Sequence, residues 1–268
     1  MKFILPCRGE FGLKIRYHVP NVHAIQGPKT VYYEPGEEAF YPSATVLEEV
    51  PRVEDDLRRG THPRGLAGEQ VRLREAIHTN YPMAEVIETR KGMKEARFIP
   101  EPHIPQNIQA DYVICPRGRK YGAAKNWPHW ESLLDLPGSV FAAGAPDSSI
   151  DIQAPRSWDY VRFLDASIEV MRSAKLVIAT DAGLAHLAIL CGSPLLLITY
   201  KGLVAPGPVM DPDGRIMEAS YWPVRFEEYY QKARHTDAPI WTTEKWDDPE
   251  EVYRLAVRLA AHQPEERS

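Results

Sequence analysis

The clearest pattern in the chain is a series of short apolar runs, each stopping at a turn residue and restarting after a stretch with helical spacing. From residue 110 the alternation is regular: "ADYVICP", "GSVFAAGAP", "KLVIATD" and "SPLLLITY" read as strands. Between them, "WPHWESLLDL", "SWDYVRFLDASIEVMRSA" and "GLAHLAILCG" read as helices. Strands that are apolar at nearly every position are buried on both faces, and helical connections require parallel pairing with right-handed crossovers. The pattern predicts an open, doubly wound parallel α/β sheet. "APIWTTE" predicts a further strand, and "DPEEVYRLAVRLAAHQ" a helix that starts at Asp248 with Pro249 in its first turn.

The first hundred residues are harder to read. Lys2 to Cys7 predicts a strand, "RGEFG" a turn, "LKIRYHVPNVHAI" a helix broken at Pro20, and "KTVYYEP" a second strand. From Phe40 to Pro105 proline, arginine and acids alternate; "AGEQVRLREAIHTN" predicts a helix and "RRGTHPRG" an exposed loop. Pro100, Pro102 and Pro105 rule out a regular helix or central strand and mark a linker. Two domains are therefore expected, one over 1–106 and a larger one over 107–268, with the C-terminal helix packing back on the first. Residues 201–239 read mostly as loops, with "FEEYYQKA" a short helix.

Composition narrows the classes. Charged residues make up 26% and hydrophobic ones 44% of 268 residues, an ordinary globular balance. The net charge is −5 and neither side of residue 106 is basic, which argues against binding driven by nonspecific phosphate neutralisation. Arg58, Arg59, Arg64, Arg72 and Arg74 form either a solvated face or a local anion contact. Cys7, Cys115 and Cys191 are far apart among apolar residues, as expected of reduced, buried thiols in a cytoplasmic protein. No apolar run reaches membrane-spanning length, and neither a metal nor a cofactor is expected.

In open parallel sheets, ligands bind beyond the carboxyl ends of the strands. Asp181 closes one predicted strand, and Ala182 and Gly183 open a helix whose free N–H groups suit a phosphate. Asp181 as a plain helix cap and His186 as a core histidine are the plainer alternatives. The loop "CPRGRKYGAAKNWPHW" carries Arg117, Arg119, Lys120 and Lys125 before the next predicted helix, a set that complements a diphosphate. Asp147, in "GAPD", is placed to accept from a sugar or ribose hydroxyl, and Lys201 follows the last clear strand. Tyr200, Trp222, Tyr229 and Tyr230 read either as a cover over a base or sugar, or as core.

"KNWPHWESLL", "VFAAGAPD" and "LVIATDAGLAHLAILCGSPLLLIT", in that order, resemble the donor-binding half of the heptosyltransferase-type GT-B glycosyltransferases. The family's Lys-x-Trp-Pro, Asp-x-Gly-x-x-His-Leu-Ala and Gly-x-Pro are met by Lys125 to Pro128, Asp181 to Ala188 and Gly192 to Pro194. The resemblance covers roughly residues 110 to 200, and it implies two facing Rossmann-like domains with parallel doubly wound sheets, the N-terminal one reduced. It implies a nucleotide-diphosphate sugar donor held by Arg117, Arg119, Lys125, Asp147, Asp181, Ala182, Gly183, His186 and Lys201. It further implies a hydroxyl-bearing acceptor, a glycan or glycolipid, near Gly9, Glu10, Phe11 and Gly12. Glu10 stands where the family has aspartate and is the implied base; Lys125 is the implied stabiliser of the leaving diphosphate. Ala182 departs from the family's hydroxyl-bearing residue. Three rivals use the same features: transfer to a modified nucleic-acid base, a nucleotide-sugar epimerase, and a noncatalytic nucleotide-sugar-binding protein.

Overall fold

The computed structural model describes residues 1–7, 18–50, 64–89, 99–119, 125–180, 182–199, 209–210, 216–217 and 238–262. The first sheet holds β1 (Lys2–Ile4), β2 (Lys29–Tyr33), β3 (Val46–Glu49) and β4 (Glu85–Ile87). Its order is β3-β2-β1-β4, parallel throughout, with Phe3 in register with Thr30 on one side and Val86 on the other. Ile4 and Val31 pack with Val19 and Val22 of α1 (Val19–Ala24). Phe3 and Leu5 point the other way, toward Leu73 and Ile77 of α2 (Arg64–Asn80).

Pro20 does not break α1; it lies in the first turn, where its missing N–H removes no helical bond. The helix ends where buried Lys29 donates from Nζ to the carbonyls of Val22 and Ile25, both at 2.8 Å. β3 and β4 lie in the stretch whose pattern was unreadable. β3 is mostly exposed at the sheet edge, so no apolar run announces it.

The second sheet holds β5 (Tyr112–Cys115), β6 (Val140–Ala142), β7 (Leu176–Thr180) and β8 (Leu195–Ile198). β9 (Val209–Met210) and β10 (Ile216–Met217) form a separate antiparallel pair within the stretch read as loops. β11 (Ile240–Thr243) rejoins the second sheet, giving the order β11-β8-β7-β5-β6, again all parallel. Val113, Cys115, Val177, Ala179, Leu195 and Leu197 face the cluster that contains α3 (Phe163–Ser173) and α4 (Gly183–Leu190). Tyr112, Ile114, Leu176, Ile178, Leu196 and Ile198 alternate onto the other face, under Trp127, Trp130 and α5 (Pro249–Ala261). Both faces are covered, as the unbroken apolar strands require.

Two expected helices differ. Residues 127–136 contract to a single tight turn at Trp130–Leu133, because Pro128 precedes it and Pro137-Gly138 follow within a turn. The terminal helix α5 begins as expected, with the Asp248 carboxylate accepting from the Glu251 N–H at 3.0 Å. It packs through Val252, Ala256 and Ala260 on the second sheet, not on the first unit.

The two sheets share one apolar cluster, to which the first contributes Val31, Tyr33, Phe40 and Tyr41 and the second residues such as Val113, Cys115 and Leu164. The proline-rich stretch between them is fixed along α3. Asp165 accepts from the N–H groups of His103 and Ile104 at 3.0 and 3.2 Å, and Glu169 from those of Gln106 and Ile108 at 2.5 and 2.9 Å. Arg162, at the start of α3, bonds Asp165 at 2.7 Å and reaches Glu38 at 2.9 Å.

Candidate functional site

In the second sheet the chain leaves β5 for β6 on one side, then crosses back to β7 and continues to β8 and β11 on the other. The order reverses between β5 and β7, so a crevice opens beyond their carboxyl ends. Arg117 and Arg119 follow β5 directly, and Lys125 lies further along the same connection. Ala182 and Gly183 follow β7. These predicted donor-side stretches therefore flank one crevice.

The β5 loop is held in shape by Asn126 and Trp127, to which the sequence assigned no role of their own. Asn126 accepts from the Arg117 guanidinium and donates to the Arg119 carbonyl at 2.8 Å, closing the loop between them. Trp127 is fully buried, and its indole N–H donates to the Trp246 carbonyl at 2.7 Å. It also meets the Trp130 ring edge-on at 5.1 Å. The Trp of the Lys-x-Trp-Pro run is thus an anchor that fixes where half-buried Lys125 stands. On the other side, Gly118 donates to the Ser148 carbonyl at 2.8 Å, and a Cβ on Gly118 would come within 2.9 Å of the Ile150 backbone. That close approach requires glycine and joins the β5 and β6 loops.

Ala182 caps α4 in extended conformation; its carbonyl accepts from the Ala185 N–H at 3.1 Å, and it has no side-chain bond to the first turn. His186 is buried, one turn into a helix whose residues Ala185 to Leu190 are all buried. Asp147 is exposed on the loop after β6, the outer strand of the sheet, one strand beyond the crevice. Among the described residues the buried Thr180 hydroxyl, at the end of β7, has no hydrogen-bond partner. A threonine at the end of an otherwise aliphatic strand was the signal for it.

Gly9, Glu10, Phe11, Gly12, Lys120, Asp181, Tyr200, Lys201, Trp222, Tyr229 and Tyr230 lie outside the described residues, as do Arg58 and Arg59. Of the arginine group, Arg74 is paired with Glu88 at 2.5 Å and Arg72 is exposed. Cys115 and Cys191 are buried free thiols, and Cys7 is half-buried. Among the described residues no three His, Cys, Asp or Glu side chains group as metal ligands, and no helix is long and apolar enough to cross a membrane.

The first sheet repeats the topology. From β1 the chain moves to β2 and β3 on one side, and β4 then returns to the other side of β1. Its reversal lies between β1 and β4, where Cys7, His18 and Thr89 end the described segments. Glu38, just past the carboxyl end of β2, meets Arg162, which opens α3 on the carboxyl side of the second sheet. The carboxyl-side loops of the two sheets therefore approach each other.

The solved structure of the glycosyl transferase family 9 protein from Veillonella parvula DSM 2008 matches over 98% of this chain and 97% of its own, with TM-score 0.55 and 11% identity. The fold is GT-B-like. Similar too are E. coli ADP-heptose LPS heptosyltransferase II (TM-score 0.49, 13% identity, 97% of this chain and 99% of that one) and E. coli heptosyltransferase WaaC with ADP (0.49, 13%, 97% and 100%). No protein-family model and no curated protein matches the chain. In the GT-B-like frame the β5–β7 crevice belongs to the second sheet and the β1–β4 crevice to the first.

Proposed function

We propose that the protein is a metal-independent, inverting glycosyltransferase that moves a sugar from a nucleotide-diphosphate donor to an acceptor hydroxyl. The observation that carries the reading is the pairing of two open parallel sheets, each with a reversal crevice, whose carboxyl-side loops meet at Glu38 and Arg162. A donor crevice and an acceptor crevice that face each other are what a two-substrate transfer needs.

In this reading the donor diphosphate lies between the β5 loop and the start of α4. Lys125 and Arg119 meet its charge, Arg117 with Asn126 holds the loop in shape, and the N–H groups at Ala182 and Gly183 donate to a phosphate oxygen. Asp181 holds donor hydroxyls. The acceptor oxygen attacks the anomeric carbon from the face opposite the diphosphate and forms the new C–O bond as the bond to phosphate oxygen breaks. The acceptor's proton passes to Glu10, and the negative charge gathered on the departing diphosphate is met by Lys125. Attack from the opposite face inverts the anomeric centre. The 1–106 and 107–268 division is kept as the division between acceptor and donor sides.

The test is thermal unfolding with ADP, UDP, GDP and CDP and their sugar conjugates. One nucleotide is expected to raise the melting temperature, since a ligand at a hundred times its Kd adds about 2.7 kcal/mol to the folded state. Lys125→Ala is expected to weaken that ligand by about tenfold or more, the loss of a charge-assisted bond. A folded protein stabilised by none of them overturns the reading.

A further inference from the structure

Buried threonines stand at or just past the carboxyl ends of β7, β8 and β11 in the second sheet. Two of them are committed to the sheet edge itself. The Thr199 hydroxyl donates to the Thr243 carbonyl at 3.1 Å, and the Thr243 hydroxyl accepts from the Lys245 N–H at 3.2 Å. Thr180 differs: it is 1% exposed, and its hydroxyl has no hydrogen-bond partner among the described residues. A buried hydroxyl left unpaired destabilises the fold, and valine would give the strand the same branched shape without that cost.

Thr180 is the last residue of β7, on one side of the reversal in strand order, with β5 on the other. Strand alternation puts it on the face of Leu176 and Ile178, which Trp127 helps to cover. The loop that Trp127 anchors carries Arg117, Arg119 and Lys125. Beyond Thr180 the chain enters α4, where Ala182 has no hydroxyl and the first turn receives no side-chain cap. The one strand-end hydroxyl of the three that the sheet does not use therefore stands where a cationic loop and the positive end of a helix converge.

We propose that Thr180 is a binding residue of the donor crevice, its hydroxyl donating to a phosphate oxygen of the donor diphosphate. This rests on the transferase reading above and gives a role to a strand residue which that reading leaves unused. A phosphate oxygen carries charge and accepts the hydroxyl proton in a charge-assisted bond. The donor sits on a β-branched side chain at the end of a strand paired on both sides, so little rotamer freedom is lost when the ligand arrives. The unligated chain bears the unpaired hydroxyl, and the bound diphosphate relieves it. Stability without ligand and affinity for ligand are thus set against each other at this one atom.

The experiment measures melting temperature and calorimetric affinity of the full chain with ADP, UDP, GDP and CDP in turn, for the native sequence, Thr180→Val and Thr180→Ser. Without ligand, Thr180→Val is expected to melt about 2 to 4 °C above the native chain, because a methyl group replaces an unpaired hydroxyl. It should bind the diphosphate that stabilises the native chain about tenfold more weakly, and Thr180→Ser, which keeps the hydroxyl, should restore the affinity. Gain of stability with loss of binding marks a group held for a ligand; a hydroxyl that serves the fold moves stability the other way. Unchanged diphosphate affinity in Thr180→Val, a Thr180→Val chain that melts no higher than the native one, or a Thr180→Ser chain that binds as weakly as the valine variant would each overturn the assignment alone. A native chain stabilised by none of the four diphosphates overturns the transferase reading and the assignment with it.

Discussion

Asp111 fastens the amino end of the second sheet, opposite the crevice. Its carboxylate pairs with Lys175 at 2.9 Å and accepts from both the N–H and the hydroxyl of Ser139 at 2.8 and 2.9 Å. Gly138 stands beside it at φ +142°, and a Cβ there would come within 2.5 Å of the Asp111 oxygen. The bond from Lys175, then those from Ser139, hold the carboxyl down at about 2. A depressed acid stabilises the fold above its unfolded value of about 3.9 and loses that contribution as pH falls through the folded value. Asp111→Asn is therefore expected to lower stability by about 1 to 2 kcal/mol at neutral pH, allowing for the exposed Lys175 partner. Its stability should also change less than that of the native chain between about pH 4 and pH 2. Urea titrations across that range check both. At this scale the Lys125 to Pro128 run was legible, because Trp and Pro beside a cation are rare and local. The part played by Asn126 within that run was not, because what singles it out is a partner supplied by folding.

Among the elements, α3 carries more than its apolar face. Asp165 is 1% exposed and is bonded by Arg162 and by two linker amides at once. Removing it leaves a partly buried guanidinium and two amides without their acceptor, so Asp165→Ala is expected to cost about 3 kcal/mol. A lower urea midpoint with an unchanged slope would show it. The buried strands β5, β7 and β8 were legible because continuous aliphatic runs have few other uses. The edge strand β3 was not, because Glu48 and Glu49, on its opposite faces, are both exposed and its pairing with β2 runs through backbone groups that leave no mark on side-chain type. The helix read over 127–136 failed for a related reason. Helical spacing of Trp130, Leu133 and Leu136 satisfies the core equally well from a short turn between prolines.

For the whole molecule, the doubly wound second sheet followed from alternation alone, whereas the contact between the carboxyl-side loops of the two sheets depends on Glu38 meeting Arg162 across 124 positions of chain. No local pattern encodes that. The segment between the sheets is equally instructive. Pro100 to Pro105, outside any helix or strand, has the makings of a loose tether, yet its His103 and Ile104 spend their amides on α3 and Arg172 donates to the Pro100 carbonyl at 2.9 Å. A protease must draw a chain of several residues into its own groove in extended form, and peptide groups already committed to a helix surface are not free to comply. The joint that sequence alone would nominate as the easiest place to cut should instead survive limited digestion, and Asp165→Ala should make it the first bond lost.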